Sequence, residues 1–316
     1  MSSVTVQQQE SPTGGSATQS WLKRLALTHK ETTAYLLLLP LIAMFTVFLI
    51  VPTVTAFVRA FQQYSLGGVE QNRWIGLGNY IRMTQEWRFW NSLRVTIVYA
   101  FGLVVVPYLL ALPMALFMNM KIKARAVFRT IFFLPVVTPV SAAGLVFVYL
   151  FNTDFGIINS ALLSLGTIQK PISWLGHAET AIPATLTMIV WSNAGFNAVT
   201  LLAGLQTITE DVLDAAAIDG AAGWSLFRHV TLPLLKPASI TVITWGLVSA
   251  FRLFGEIYVM TQGGPGRATE VLGMYIYENA FHYWQLGYAT ALSTIVFLIC
   301  LGINAVMAKV GRVDWA

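Results

Sequence analysis

Apolar residues in this chain fall into long runs. Six segments, at about 34–58, 95–119, 130–151, 180–205, 237–262 and 288–308, reach the ~20 predominantly apolar residues that an α-helix needs to cross the hydrocarbon layer of a bilayer. The pattern predicts an all-α integral membrane protein with about six transmembrane helices. The first run carries no charge from Ala34 to Val58, too long for the ~7–15-residue core of a cleaved signal peptide. Pro40, Pro52, Pro107, Pro113, Pro135 and Pro139 fall within the runs. Proline would break a soluble helix, but it is tolerated where neighbouring helices satisfy the freed carbonyls, so kinked helices around a cavity are expected.

Polar segments divide the chain further. Residues 1–33 read as a disordered cytoplasmic tail, 34–309 as a single transmembrane domain, and 310–316 as a second short tail. In the 152–179 loop, Ile157, Ile158, Ala161, Leu162 and Leu165 recur at helical spacing while Asn159, Ser160 and Ser164 face away. This predicts a short helix at the membrane surface.

The loop 206–236 has a different character. Thr207 with Glu210 forms a capping-box pattern, and Glu210 with Asp211 places negative charge on the first helical turn. Ala215, Ala216 and Ala217 keep that helix narrow, and Gly220 predicts a left-handed turn at its end. A second helix from about Ala222 would carry Trp224, Phe227 and Val230 on one face, before Leu232 and Pro233 approach the fifth run. Asp214 and Asp219 offer carboxylates to a basic or hydrogen-bonding group. The pattern fits docking into a groove on another protein and equally packing on its own bundle.

Composition agrees with the hydropathy pattern. Of 316 residues, 56% are hydrophobic and 10% charged, and the mean hydropathy is +0.66, whereas an average soluble domain has about 25% charged residues. The net charge of +5 reports sidedness. Eleven basic residues lie on one side of the six-span topology: Lys23, Arg24, Lys30, Lys121, Lys123, Arg125, Arg129, Arg228, Lys236, Lys309 and Arg312. Seven lie on the other: Arg59, Arg73, Arg82, Arg88, Arg94, Lys170 and Arg267. The positive-inside rule places both termini and the 206–236 loop in the cytoplasm, with the five arginines of the first loop as the dissenting signal.

Candidate chemistry is sparse. The single Cys300 excludes an intramolecular disulfide, four scattered histidines make no metal cluster or triad, and no Gly-x-x-x-x-Gly-Lys-[Ser/Thr] occurs. A non-enzyme is expected, with no metal, no cofactor of its own and no nucleic-acid partner. Arg252 and Glu256, four apart in the fifth run, would share a helix face, either as a mutually neutralising pair or beside a translocation path. Asn193 and Asn197 share a face of the fourth run, suited to a polar solute's hydroxyls or to interhelical hydrogen bonds. Gly263-Gly264-Pro265-Gly266 reads as a flexible turn or gate.

The stretch Asp214-Ala-Ala-Ala-Ile-Asp219-Gly220-Ala, followed by Val230-Thr-Leu232-Pro233, resembles the "EAA" loop of membrane subunits in binding-protein-dependent ABC importers. Asp214 stands where that family usually has Glu, and Val230 where it has Ile. Gly76-Leu77-Gly78-Asn79-Tyr80, Phe128-Arg129-Thr130-Ile131-Phe132-Phe133-Leu134-Pro135 and Tyr258-Val259-Met260-Thr261-Gln262-Gly263-Gly264-Pro265-Gly266 resemble its carbohydrate branch, the maltose and glycerol-phosphate types. Gln262 replaces a more usual glycine. The resemblance runs from about Ile75 to Gly311.

It implies a type I ABC importer permease-like fold in a bacterial or archaeal inner membrane, importing a sugar, oligosaccharide or glycerol-phosphate-like solute. The implied partners are a second homologous permease, two ATPase subunits that bind ATP and Mg, and an external binding protein. The coupling residues would be Glu210, Asp214, Ala215, Ala216, Asp219, Gly220, Leu232 and Pro233. An ABC permease for another solute, such as an amino acid, and an ion-coupled secondary transporter are the rival readings. The second would need an internal repeat or an intramembrane carboxylate cluster, and the sequence shows neither.

Overall fold

A computed structural model describes residues 35–65, 73–120 and 125–311. The expectations for residues 1–33, for Lys121 and Lys123 and for residues 312–316 lie outside the described residues. The chain divides into two compact units, Met1–Ala56 and Phe57–Ala316.

In the first unit, a helix (α1, Tyr35–Arg59, its last turn entering the second unit) is apolar on every side, and none of residues 35–56 is buried. Pro52 has no amide hydrogen and crowds the turn before it. The ladder there widens into a π turn over Thr46–Ile50, in which the Val51 amide reaches the carbonyl of Thr46.

The second unit begins with an antiparallel pair, β1 (Gln62–Gln63) and β2 (Arg73–Trp74), in the register Gln62 opposite Trp74. Helix α2 (Gly78–Gln85) follows. The amide of Asn79, 5% exposed, donates to the carbonyls of Ala60 at 2.9 Å and Gln62 at 3.0 Å. Asn79 therefore pins the strand pair to the helix.

Helix α3 (Trp87–Asn119) is 33 residues long, which at 1.5 Å per residue is about 50 Å. It starts eight residues before the expected span and runs through Pro107 and Pro113. Helix α4 (Arg125–Phe133) passes into a 3₁₀ turn (Leu134–Val137) before α5 (Val140–Leu150). The expected span 130–151 is thus two pieces at 95°. Pro135 and Pro139 cannot donate, Thr138 is forced into extended backbone before Pro139, and the Thr138 hydroxyl donates to the freed carbonyl of Leu134 at 3.1 Å.

Helix α6 (Ile157–Ser164) forms as expected, with Ser160 and Ser164 exposed and Ile158 packed on the core, but Asn159 is turned inward. Asn159 is 3% exposed, whereas Ile157 and Leu165 are 68% and 75% exposed. Asn159 donates to the carbonyls of Thr153 (3.2 Å) and Ile172 (2.9 Å), and accepts from the Ile172 amide and the Trp174 indole.

Helices α7 (Ala178–Gln206), α8 (Glu210–Ile218), α9 (Gly223–Leu234) and α10 (Lys236–Phe251) come next, the last two bent by 65°. Helices α11 (Gly255–Met260), α12 (Leu272–Tyr277, continued by a π turn over Glu278–His282) and α13 (Leu286–Gly311) complete the chain. Among the described residues, four helices are long and apolar enough to cross a membrane, and up to six if each bent pair is one span.

Helices α3, α7 and α10 form the centre. Tyr99 bonds Thr185 in a fully buried pair, and Met118 shares a core cluster with Leu202 further along, so α3 runs parallel to α7. Tyr108 bonds Ser239 at 2.9 Å while Gly246 lies against Leu103, so α10 runs antiparallel to α3. Lipid tails are as apolar as leucine, so close approach rather than burial from water must hold such helices together. A Cβ on Gly195 would overlap the carbonyl of Phe132, one on Gly246 would lie 3.0 Å from the carbonyl oxygen of Leu103, and Gly204 faces Ala238 with no room for a Cβ. Phe101, Leu109 and Leu145 are 71%, 63% and 54% exposed, an outward apolar surface that water would not tolerate at this extent.

Candidate functional site

Helix α8 starts two residues later than the capping-box pattern implies. Thr209 takes the extended backbone of an N-cap, while the Thr207 hydroxyl donates back to the carbonyl of Gly204 at 2.7 Å and closes α7. Glu210 and Asp211 occupy the first turn as the helix dipole favours. At the far end Gly220 has φ +86°. Its amide reaches the carbonyl of Ala217 at 3.0 Å, and the Ala221 amide reaches Ala216 at 2.9 Å. These two bonds form a Schellman motif, with Asp219 as C-cap and Gly220 in the left-handed position.

Helix α9 then carries Trp224 against Phe227 at 5.2 Å between ring centroids. No residue from 209 to 234 is buried. Asp214, Ala215, Asp219, Gly220 and Pro233 are exposed, Ala216 half-buried and Leu232 36% exposed. Ile218 and Trp224, at 87% and 70%, are large apolar side chains left exposed in the same segment.

The structure separates Arg252 from Glu256. Helix α10 ends at Phe251 with Arg252 as its C-cap, Phe254 leaves helical backbone at φ −152° and ψ −59°, and Glu256 lies in the first turn of α11. The two are therefore not on one helix face, and no ion pair joins them among the described residues. Each charge instead complements its own helix end, the cation at a C-terminus and the carboxylate at an N-terminus.

Asn193 and Asn197 do share a face of α7. The Asn193 amide donates to the carbonyl of Ile189 at 2.8 Å. Asn197 is 2% exposed, and its Oδ1 has no hydrogen-bond partner among the described residues.

A cleft of about 670 Å³ opens where α7, α10 and α13 meet, lined by Phe196, Thr241, Thr244, Trp245 and Asn304 among others. The Phe196 and Trp245 rings lie 5.1 Å apart. The Asn304 amide donates to the carbonyl of Cys300 at 2.8 Å. Sequence reasoning passed over these residues because Phe196 and Trp245 look like any apolar residue in a span. Asn304, a lone amide in the last run, was the available signal.

At the other end of α13, two of the five arginines of the first loop are committed to carboxylates. Arg82 pairs with Glu86 at 2.8 Å, and Arg88 bridges Glu270 and Glu278. Burial would raise the Glu86 carboxyl, but hydrogen bonds from Tyr275 and Arg82 outweigh it and hold Glu86 below the usual carboxylate range. Glu270 is the reverse case, since desolvation keeps it raised despite Arg88. Burial, then the hydrogen bond to Glu86, pushes the Tyr275 phenol well above its ordinary value.

The Gly263–Gly266 turn is also tied down. The Thr269 hydroxyl donates to the carbonyl of Gly264 at 2.7 Å and pairs with Thr261.

Residues 108–312 match the family described as "Binding-protein-dependent transport system inner membrane component". The chain belongs to this family. The permease is 35% identical to the trehalose/maltose transport system permease protein MalF of Thermococcus litoralis over 281 residues, 88% of this chain and 93% of that one. It is 31% identical to the arabinooligosaccharides transport system permease protein AraP of Bacillus subtilis, with 94% of each chain covered. Its fold matches a crystal structure of a bacterial ABC transporter involved in the import of the acidic polysaccharide alginate, at 21% identity and a TM-score of 0.80, covering 93% of this chain and 100% of that one. The all-helical permease fold and the family expected from the Asp214–Pro233 motif are thus established. The matched residues include α7, the exposed 209–234 segment and α10.

Proposed function

We propose that this permease imports a carbohydrate delivered by an external binding protein, and that ATP, with Mg, is hydrolysed on two separate subunits docked at residues 209–234. A second, homologous permease would complete the path. The carbohydrate assignment draws on the saccharides named for the two relatives and on the Phe196–Trp245 cleft, where aromatic faces and an amide offer the contacts that sugars use.

The docking assignment is carried by one observation: no residue of the segment from 209 to 234 is buried against its own bundle. Self-packing, the rival reading of the same periodicity, predicts a buried stripe. Asp219 supports docking further, because a carboxylate at a helix C-terminus opposes the dipole and would be better placed against a basic surface.

In this reading the segment and both termini face the cytoplasm of a bacterial or archaeal cell, in its inner membrane. Closure of the ATPase pair would move the docked helices and rock the permease halves between inward- and outward-open states.

Gly220→Pro tests the coupling. Proline cannot adopt φ +86°, and it removes the amide that reaches Ala217. The expected outcome is normal membrane insertion with loss of both transport and transport-coupled ATP hydrolysis in the assembled complex. Full transport by this variant would exclude the coupling role.

A further inference from the structure

Helix α13 runs from Leu286 to Gly311, which lies near Ile240 in the first turns of α10. Its 26 residues span about 39 Å, so its start marks the end of the bundle remote from the 209–234 segment. There a cleft of about 410 Å³ is lined by Trp87, Asn279, Tyr283 and Gln285, with Arg82 and Arg88 in its walls. It shares Arg82 and Gln285 with a second cleft of about 310 Å³ that reaches back to the strand pair. Its volume lies within the ~300–1,000 Å³ of small-molecule sites.

The polar groups here are not all used. Asn279 is 3% exposed, and its Nδ2 donates to the carbonyl of Tyr275 at 2.8 Å. A carbonyl partner fixes the amide's orientation, which leaves Oδ1 as an acceptor on the cleft wall with no bond among the described residues. Gln285 is complementary: its Oε1 accepts from Arg82 at 2.9 Å, leaving its Nε2 without a bond among the described residues. The Gln285 backbone amide reaches the carbonyl of Asn279 at 2.8 Å, which ties together two residues that line the same cleft. A free acceptor beside a free donor is the pairing that a hydroxyl satisfies, since it donates and accepts at once.

The charges argue for a neutral ligand. Arg88 is taken by Glu270 and Glu278, and Arg82 by Glu86 and Gln285, so neither guanidinium is left to favour an anion. Trp87 and Tyr283, 67% and 50% exposed, supply ring surface for an apolar sugar face.

We propose that this cleft is a subsite for a neutral saccharide, with a hydroxyl held between Asn279 Oδ1 and Gln285 Nε2 and the ring lying against Trp87 and Tyr283. The subsite rests on the carbohydrate reading above and adds to it a station at the bundle end remote from the exposed segment.

The test is a titration of the assembled transporter in nanodiscs with maltose, trehalose and lactose, read as the tryptophan fluorescence change that Trp87→Phe abolishes. At least one sugar is expected to give a saturable change, weakened about tenfold by Gln285→Ala and by Asn279→Ala, the loss of a hydrogen bond worth ~1.4 kcal/mol. Gln285→Ala decides the matter alone if Asn279→Ala does not assemble.

A wild-type complex that imports sugar but shows no Trp87-dependent change overturns the subsite and leaves the import function standing. An unchanged affinity in Gln285→Ala also overturns it. So does loss of binding-protein-stimulated ATP hydrolysis with an unaltered titration, which would make the cleft a protein contact. A complex that imports no saccharide overturns the function on which the subsite rests.

Discussion

Arg88, in the first turn of α3, donates from Nε to both carboxylate oxygens of Glu270 at 3.0 Å, across 182 residues of sequence. Glu270 is 2% exposed and also accepts from Ser92 at 3.3 Å. With the Asn91 amide on the carbonyl of Arg267 and the Leu272 amide on the Thr96 hydroxyl, one face of α3 laces down the whole 267–272 segment. Arg88→Ala leaves a buried carboxylate without its main counter-charge and is expected to destabilise the permease by about 3 kcal/mol. Unfolding of the purified protein measures this, and Arg88→Ala combined with Glu270→Gln should recover a large part of the loss.

The two carboxylates impose opposite pH slopes. Glu86 is held below its unfolded value, so its stabilising contribution is present above the ordinary carboxylate pKa and is lost as pH falls through its lowered value. Glu270 is raised, so its contribution is present below the unfolded value and is lost as pH rises through its folded one. Unfolding midpoints followed from pH 3 to 7, a range that is about the carboxylate region, should fall less on the acid side in Glu86→Gln. They should decline less with rising pH in Glu270→Gln.

Asn159 spends both ends of its amide on the 152–174 loop. Asn159→Leu keeps the volume and removes every one of these bonds, orphaning the amide of Ile172. The expected cost is about 2–4 kcal/mol, accompanied by faster proteolysis within 165–177, which limited digestion reads directly.

Asn197 gives the opposite sign. Its buried Oδ1 has no partner among the described residues, so Asn197→Leu is expected to raise stability by about 1–2 kcal/mol. A fall in the unfolding midpoint would mean that the carbonyl is in fact satisfied.

These examples also mark what the sequence could convey. Hydropathy located the helices because length and apolarity are local quantities, and Gly220 was legible because a left-handed position selects for glycine. The break at Thr138–Pro139 was invisible to a hydropathy window, since a bent apolar segment has the same composition as a straight one. Thr207 and Thr209 compete for one cap, and only the bond from Thr207 to Gly204 decides between them. Asn159 read as outward-facing because its partners, Ile172 and Trp174, lie beyond its own helix. Arg252 and Glu256 were misplaced for a related reason: spacing implies a shared face only while the helix continues. The Arg88 network could not be read at all, as no periodicity links a residue to one 182 positions away.

Gly195 and Gly246 bring backbone against backbone, at Phe132 and at Leu103. An interface of side chains can absorb a displacement of an ångström by changing rotamers, whereas a carbonyl pressed on a helix backbone has no such slack. Helix α7 at Gly195 and α10 at Gly246 are therefore stiff members seated in unyielding bearings, and a push delivered near Thr207 must move the neighbours of α7 or fail to move it.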